Sequence, residues 1–145
     1  MRNADAPRGT DTAESAAGPA REGATILVVD GEEAARRRAA EMLVASGFRV
    51  ITSANSIAAL TLYEEEHAGI DLVLLDMIMP GISGTQCLAE ILRIDRMAKV
   101  VMTCGHPGES YRTLARERGA AHLLAKPYAD SELLGTVERV LGEAG

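Results

Sequence analysis

Four polar residues that could act together on a phosphoryl group each close a short apolar run in this chain. Asp30 follows Ile26-Leu27-Val28-Val29, Asp76 follows Leu72-Val73-Leu74-Leu75, Thr103 follows Val100-Val101-Met102, and Lys126 follows Leu123-Leu124-Ala125. Two acids held side by side can share a hard cation such as Mg2+, which prefers oxygen ligands and a phosphate. A lysine pairs with an anion as a point charge, and a threonine hydroxyl can donate to an oxygen that arrives later. Together these groups suit a carboxylate nucleophile, Asp76, that accepts a phosphoryl group as an aspartyl-phosphate. Glu32, two residues after Asp30, is a further acid, placed where a helix N-terminus favours negative charge.

Such a site needs elements that bring the four runs together. Runs of four large apolar residues are too short for a core helix and read as strands buried on both faces, as in parallel sheets. Arg49–Ser53 alternates like an edge strand. Between the strands lie helical patterns. The first opens at Glu32 and Glu33, carries Ala35, Ala39, Met42 and Leu43, and stops at Gly47; its run Arg36, Arg37 and Arg38 reads as a solvated face. The second is capped by Asn55 or Ser56 and carries Ile57, Leu60 and Tyr63. Ser83 and Gln86 have capping-box spacing ahead of Cys87, Leu88, Ile91 and Leu92. A fourth helix carries Tyr111, Leu114 and Ala115, and a fifth is capped by Asp130 or Ser131 ahead of Leu133, Leu134, Val137, Val140 and Leu141. Five alternations of strand and helix predict an α/β fold with a parallel sheet and helices on both faces. Ligands of such sheets bind at the carboxyl ends of the strands, where all four residues fall.

Composition narrows the function classes. The chain has 145 residues and is read as one folded unit over 25–145, preceded by a disordered tail or linker over 1–24. That tail holds seven alanines and a single large apolar residue, Met1, too little to offset the entropy of ordering. A net charge of −6 gives no basic footprint for nucleic acid. No apolar run is long enough for a membrane, and Cys87 and Cys104, which form no CxxC pair, suit a reducing cytoplasm. His67, His106 and His122 lack metal-ligand spacing, although His106 is near Thr103.

The four runs, taken with Asp-x-x-Met-Pro-x-x-x-Gly at 76–84 and Lys-Pro at 126–127, resemble the receiver domains of bacterial two-component response regulators, from residue 25 to about 142. The resemblance implies a flavodoxin-like (βα)5 fold of strand order 2-1-3-4-5 and phosphorylation of Asp76 by a histidine kinase or phosphotransfer domain. It further implies Thr103 as the switch hydroxyl, Lys126 as the phosphate partner, and a cis bond before Pro127. Mg2+ would sit on Asp30, Asp76 and the backbone carbonyl of Ile78. Partners would be the kinase and a downstream protein target, and the resemblance admits a homodimer. The chain would be either a stand-alone cytoplasmic regulator or the receiver portion of a hybrid kinase. Two positions depart from the pattern. Gly31 stands where the family usually carries a second acid, which implies weaker Mg2+ unless Glu32 supplies the ligand. Leu123 stands at the aromatic switch position.

Each residue also has a plainer role. Asp30 alone is a good helix cap, Thr103 a β-branched strand residue, Lys126 a solvated charge, and Cys104 a small core filler. The competing function is a degenerate receiver that binds partners without phosphorylation. An aspartate-nucleophile phosphatase is excluded, because that class needs a second Asp where Ile78 stands. No Gly-rich phosphate loop follows Val29, which removes nucleotide binding as well.

Overall fold

The computed structural model describes residues 23–105 and 108–143. The expected tail over 1–24 lies outside these residues except for Gly23 and Ala24, and His106 lies outside them too. Five strands, β1 (Thr25–Val29), β2 (Arg49–Ser53), β3 (Leu72–Asp76), β4 (Val100–Cys104) and β5 (His122–Ala125), form one sheet of order β2-β1-β3-β4-β5. Every pairing is parallel. The helices between and after them are α1 (Glu33–Ala45), α2 (Ser56–Glu66), α3 (Gly84–Ile94), α4 (Glu109–Glu117) and α5 (Asp130–Gly142). This is the flavodoxin-like order expected.

The strand sequences dictate two cores. Alternate side chains point to opposite faces, so Leu27, Val29, Val73, Leu75, Val100 and Met102 pack with α2, α3 and α4. Ile26, Val28, Leu72, Leu74 and Val101 pack on the other face with Ala39 and Leu43 of α1 and Leu133, Val137 and Val140 of α5. Burying one such side chain contributes roughly 1.5–3 kcal/mol. A slip of one residue would exchange the two faces of a strand, so these layers fix where each strand stops. That is how an apolar core sets the position of the polar residue at its end.

Local signals explain most boundaries. Gly47 and Gly119 adopt the left-handed conformation after α1 and α4, where a side chain would be strained. Ser83 caps α3, its hydroxyl accepting from Gln86 N at 3.2 Å while the Gln86 side chain accepts from Ser83 N at 3.2 Å. Three expectations fail. Ile57 and Tyr111 are exposed, and Ala59 with Tyr63 takes the buried face of α2. Helical periodicity gives the spacing of a stripe but leaves its rotation free when alanines are interspersed. Helix α5 is capped from Ala129, whose N–H donates to the Glu132 carboxylate at 2.9 Å. Asp130 is instead drawn to Arg38 of α1 at 2.7 Å.

Candidate functional site

The sheet delivers the four residues to one edge. Val29 and Leu75 are register partners, so Asp30 and Asp76 emerge side by side. Asp76 is paired with Thr103 across the next strand, and Lys126 leaves β5 just beyond Ala125, its N–H donating to the Cys104 carbonyl at 2.9 Å. Asp30 is 5%, Asp76 8% and Thr103 2% exposed.

Lys126 is the hub. Its Nζ lies 2.8 Å from Asp30 Oδ2 and 3.2 Å from Asp76 Oδ2. Glu32 Oε1 is 3.7 Å from the same nitrogen, although the Glu32 side chain is largely exposed. The backbone fixes the remaining oxygens. Glu32 N donates to Asp30 Oδ1 at 2.9 Å and Ile78 N to Asp76 Oδ1 at 3.3 Å. Asp30 therefore accepts a turn bond through one oxygen and pairs with Lys126 through the other; it does not cap α1, which starts from Glu32 without a side-chain cap bond. Burial, with the charge of Asp30 adding to it, raises the Asp76 pKa above the usual carboxylate value, and Lys126 opposes the shift. Burial alone would lower Lys126, but its hydrogen bond to Asp30 and the charge of Asp76 outweigh that and raise it.

Beside this cluster the Thr103 Oγ1 is buried and has no hydrogen-bond partner among the described residues. An orphaned hydroxyl costs about 1–3 kcal/mol, so the fold keeps a donor in reserve. The cluster opens into a pocket of about 390 Å3 lined by Gly31, Glu32, Asp76, Ile78, Pro80 and Lys126. Ile78 is 68% exposed at its mouth. Cys104 is buried in the core and plays the filler role.

Glycine shapes two of the walls. A Cβ on Gly31 would meet Pro80 Cδ at 3.0 Å, so the proline ring occupies the space a side chain would need. A Cβ on Gly84 would stand 2.5 Å from the Asp76 carbonyl oxygen and 2.5 Å from Met77 Cα. Helix α3 therefore starts directly against the backbone of Asp76, and only glycine permits it.

The donor set can be tested against a metal. Among the described residues no group of three or more acidic, His or Cys side chains forms a ready cage. Two carboxylates converging on one cation beside an open pocket do fit Mg2+, which keeps several waters and completes its shell with phosphate oxygens.

Sequence reading missed several supports. Arg36 donates to the Asp30 carbonyl at 2.9 Å, and Arg38 reaches the Tyr128 carbonyl at 3.3 Å as well as Asp130. Two of the three arginines expected to be solvated therefore brace the loops that carry Asp30 and Lys126. Only Arg37 behaves as an ordinary surface partner, to Glu33 at 2.7 Å. The expected cis bond between Lys126 and Pro127 is present.

Comparisons with known proteins bear on the family and the fold. The sensory transduction protein RegX3 of Mycobacterium tuberculosis is 33% identical over 121 residues, 83% of this chain and 52% of that protein. The chain thus spans about half the length of this relative. The chemotaxis protein CheY of Bacillus subtilis is 31% identical over 116 residues, 80% of this chain and 96% of the relative. Among solved structures, a chain of the CheX-CheY-BeF3-Mg2+ complex from Borrelia burgdorferi superposes with a TM-score of 0.80 at 27% identity, covering 83% of this chain and 90% of that one. A receiver domain protein from Clostridium thermocellum gives 0.77 at 31% identity, covering 81% and 94%. Among the described residues no helix is long and apolar enough to cross a membrane. The family model of the response regulator receiver domain matches residues 26–138, and with the fold, the strand-end cluster and these relatives it establishes that the chain belongs to the response regulator receiver domain family.

Proposed function

We propose that the chain is the phospho-acceptor switch of a two-component system, with Asp76 accepting a phosphoryl group from a histidine kinase or phosphotransfer domain. The observation that carries the reading is the convergence of Asp30, Asp76 and Lys126 next to the unpartnered Thr103 hydroxyl. An oxygen of the Asp76 carboxylate attacks phosphorus as the bond from phosphorus to the donor's histidine nitrogen breaks, and the imidazole leaves with that electron pair. Lys126 then moves from a carboxylate partner to a phosphoryl partner, and Thr103 donates to a phosphoryl oxygen. Asp30, Asp76, the Ile78 carbonyl and, in place of the missing acid at Gly31, Glu32 would hold Mg2+. When bound, that ion neutralises the charge on the transferring oxygens. The new contacts of Thr103 and Lys126 favour one of two loop arrangements and so pass the signal to a protein target.

Intact-mass measurement after acetyl-phosphate treatment, with and without Mg2+, tests the proposal. One phosphate should appear on the parent chain and none on Asp76→Asn. Equal labelling of the Asn variant would place the acceptor elsewhere.

One observation favours a second reading, a phosphorylation-independent interaction module. Leu123 is 4% exposed and packed into the core beside α2, α3 and α4, and it carries no hydroxyl with which to signal. A parent chain that takes no label at any Mg2+ concentration would select this reading.

A further inference from the structure

Ser56 is the first residue of α2 and is fully buried. Capping of that helix falls to Asn55, whose side chain accepts from Ala58 N at 2.8 Å. The Ser56 hydroxyl is thereby free to act elsewhere. It reaches across to the segment after β3, donating to the Ile82 carbonyl at 2.6 Å and lying 3.4 Å from the Pro80 carbonyl. That segment begins at Asp76, and its Ile78 N–H holds the Asp76 carboxylate through a long bond of 3.3 Å. On its other side Pro80 rests in the space left by Gly31. Among the described residues, Ser56 is the side chain outside the segment that hydrogen-bonds to its carbonyls.

We infer that Ser56 is a positioning residue of the Asp76 site. Its hydroxyl ties down the Pro80–Ile82 carbonyls and thereby keeps the Ile78 backbone, both its N–H and its carbonyl, against the acceptor. The inference rests on the acceptor reading and deepens it. The bland alternative is a buried serine that satisfies itself on the nearest carbonyl. The two differ in what the bond controls. A merely structural bond stabilises the whole domain, whereas a positioning bond sets local order and rate in the folded protein.

The test uses the full chain with Ser56→Ala and, as a second variant without the hydroxyl, Ser56→Gly. Hydrogen exchange over residues 77–83 is followed by mass spectrometry. Labelling by acetyl phosphate is followed at saturating Mg2+, with the rate at saturating donor separated from the donor KM. Both variants should exchange faster over 77–83 and not in β1, β3 or β4. Both should label about fivefold more slowly at saturating donor with KM unchanged, the ratio expected for one neutral hydrogen bond of about 1 kcal/mol. Exchange and labelling rate within twofold of the parent would overturn the inference, as would a uniform rise in exchange across the sheet at unchanged rate. A parent chain that takes no label defeats the acceptor reading instead, and exchange over 77–83 still decides the role of Ser56.

Discussion

Replacing Lys126 with Met removes the cation that offsets the repulsion between two buried acids. Its Nζ lies 2.8 Å from Asp30 and 3.2 Å from Asp76, and its side chain is only 17% exposed. Breaking a buried ion pair by deleting one partner costs about 3–5 kcal/mol, because the other charge is left uncompensated. The pocket mouth admits water and screens part of this, so the lower end applies, about 3 kcal/mol. For a domain of this size that lowers the unfolding temperature by roughly 10 °C. The deficit should also depend on pH in a known direction. Without Lys126 the Asp76 pKa rises further above its unfolded value, so the folded state binds a proton that the unfolded chain gives up. Stability then falls as pH rises through the folded pKa, and the gap to the parent closes on acidification. Mg2+ should restore much of the loss, by RT ln(1 + [Mg2+]/Kd), because Asp30 and Asp76 would hold the ion and its charge would compensate theirs. Urea denaturation at two pH values, with and without Mg2+, measures all three effects. Equal urea midpoints for Lys126→Met and the parent would refute the argument, and so would a Mg2+ response no larger in the variant.

Three other perturbations separate the remaining roles. Gly31→Asp should tighten Mg2+ about tenfold in calorimetry, since a charged ligand interaction is worth about 1.5–3 kcal/mol and moving Pro80 consumes part of it; Gly31→Ala, which also displaces Pro80, should gain nothing. Ile78→Asn places a hydrogen-bonding group in the pocket wall beside the proposed phosphoryl position, and should speed loss of the phosphate mass about tenfold if about 1.4 kcal/mol is gained in the transition state; identical decay would show that access at this position does not limit the lifetime. Burial, then the charge of Glu90, pushes the Cys87 thiol up to about 11. The unfolded chain loses that proton first, so stability should drop between pH 9 and 11 by roughly 2–3 kcal/mol, and Cys87→Ala should abolish that part of the pH dependence in urea titrations.

Why Asp30, Asp76, Thr103 and Lys126 were legible has a physical explanation. Each ends a run whose burial on both faces fixes the strand, and parallel topology then gathers the strand ends without further information. Side-chain direction was harder to read. Ile57 and Ala59 both fit a helix period, and only packing against α3 decides which is buried. Arg36, Arg38 and Ser56 are read as surface or cap residues because their partners lie on other elements, from 6 to 92 residues away. The distance between Glu32 and Lys126 is likewise a property of the folded loops. No spacing rule encodes it.

The glycine at position 84 has a mechanical consequence. Because Gly84 N donates to the Met77 carbonyl at 2.9 Å and its Cα abuts the Asp76 backbone, the first turn of α3 is welded to the acceptor strand. A pivot of that turn would drag the Met77 carbonyl to which it is bonded, next to Asp76. Under the proposed acceptor reading, displacement at Asp76 spares α3 and runs instead through the strands that carry Thr103 and Lys126. In that proposed division of labour α3 is the fixed post, and the strands that carry Thr103 and Lys126 are the lever.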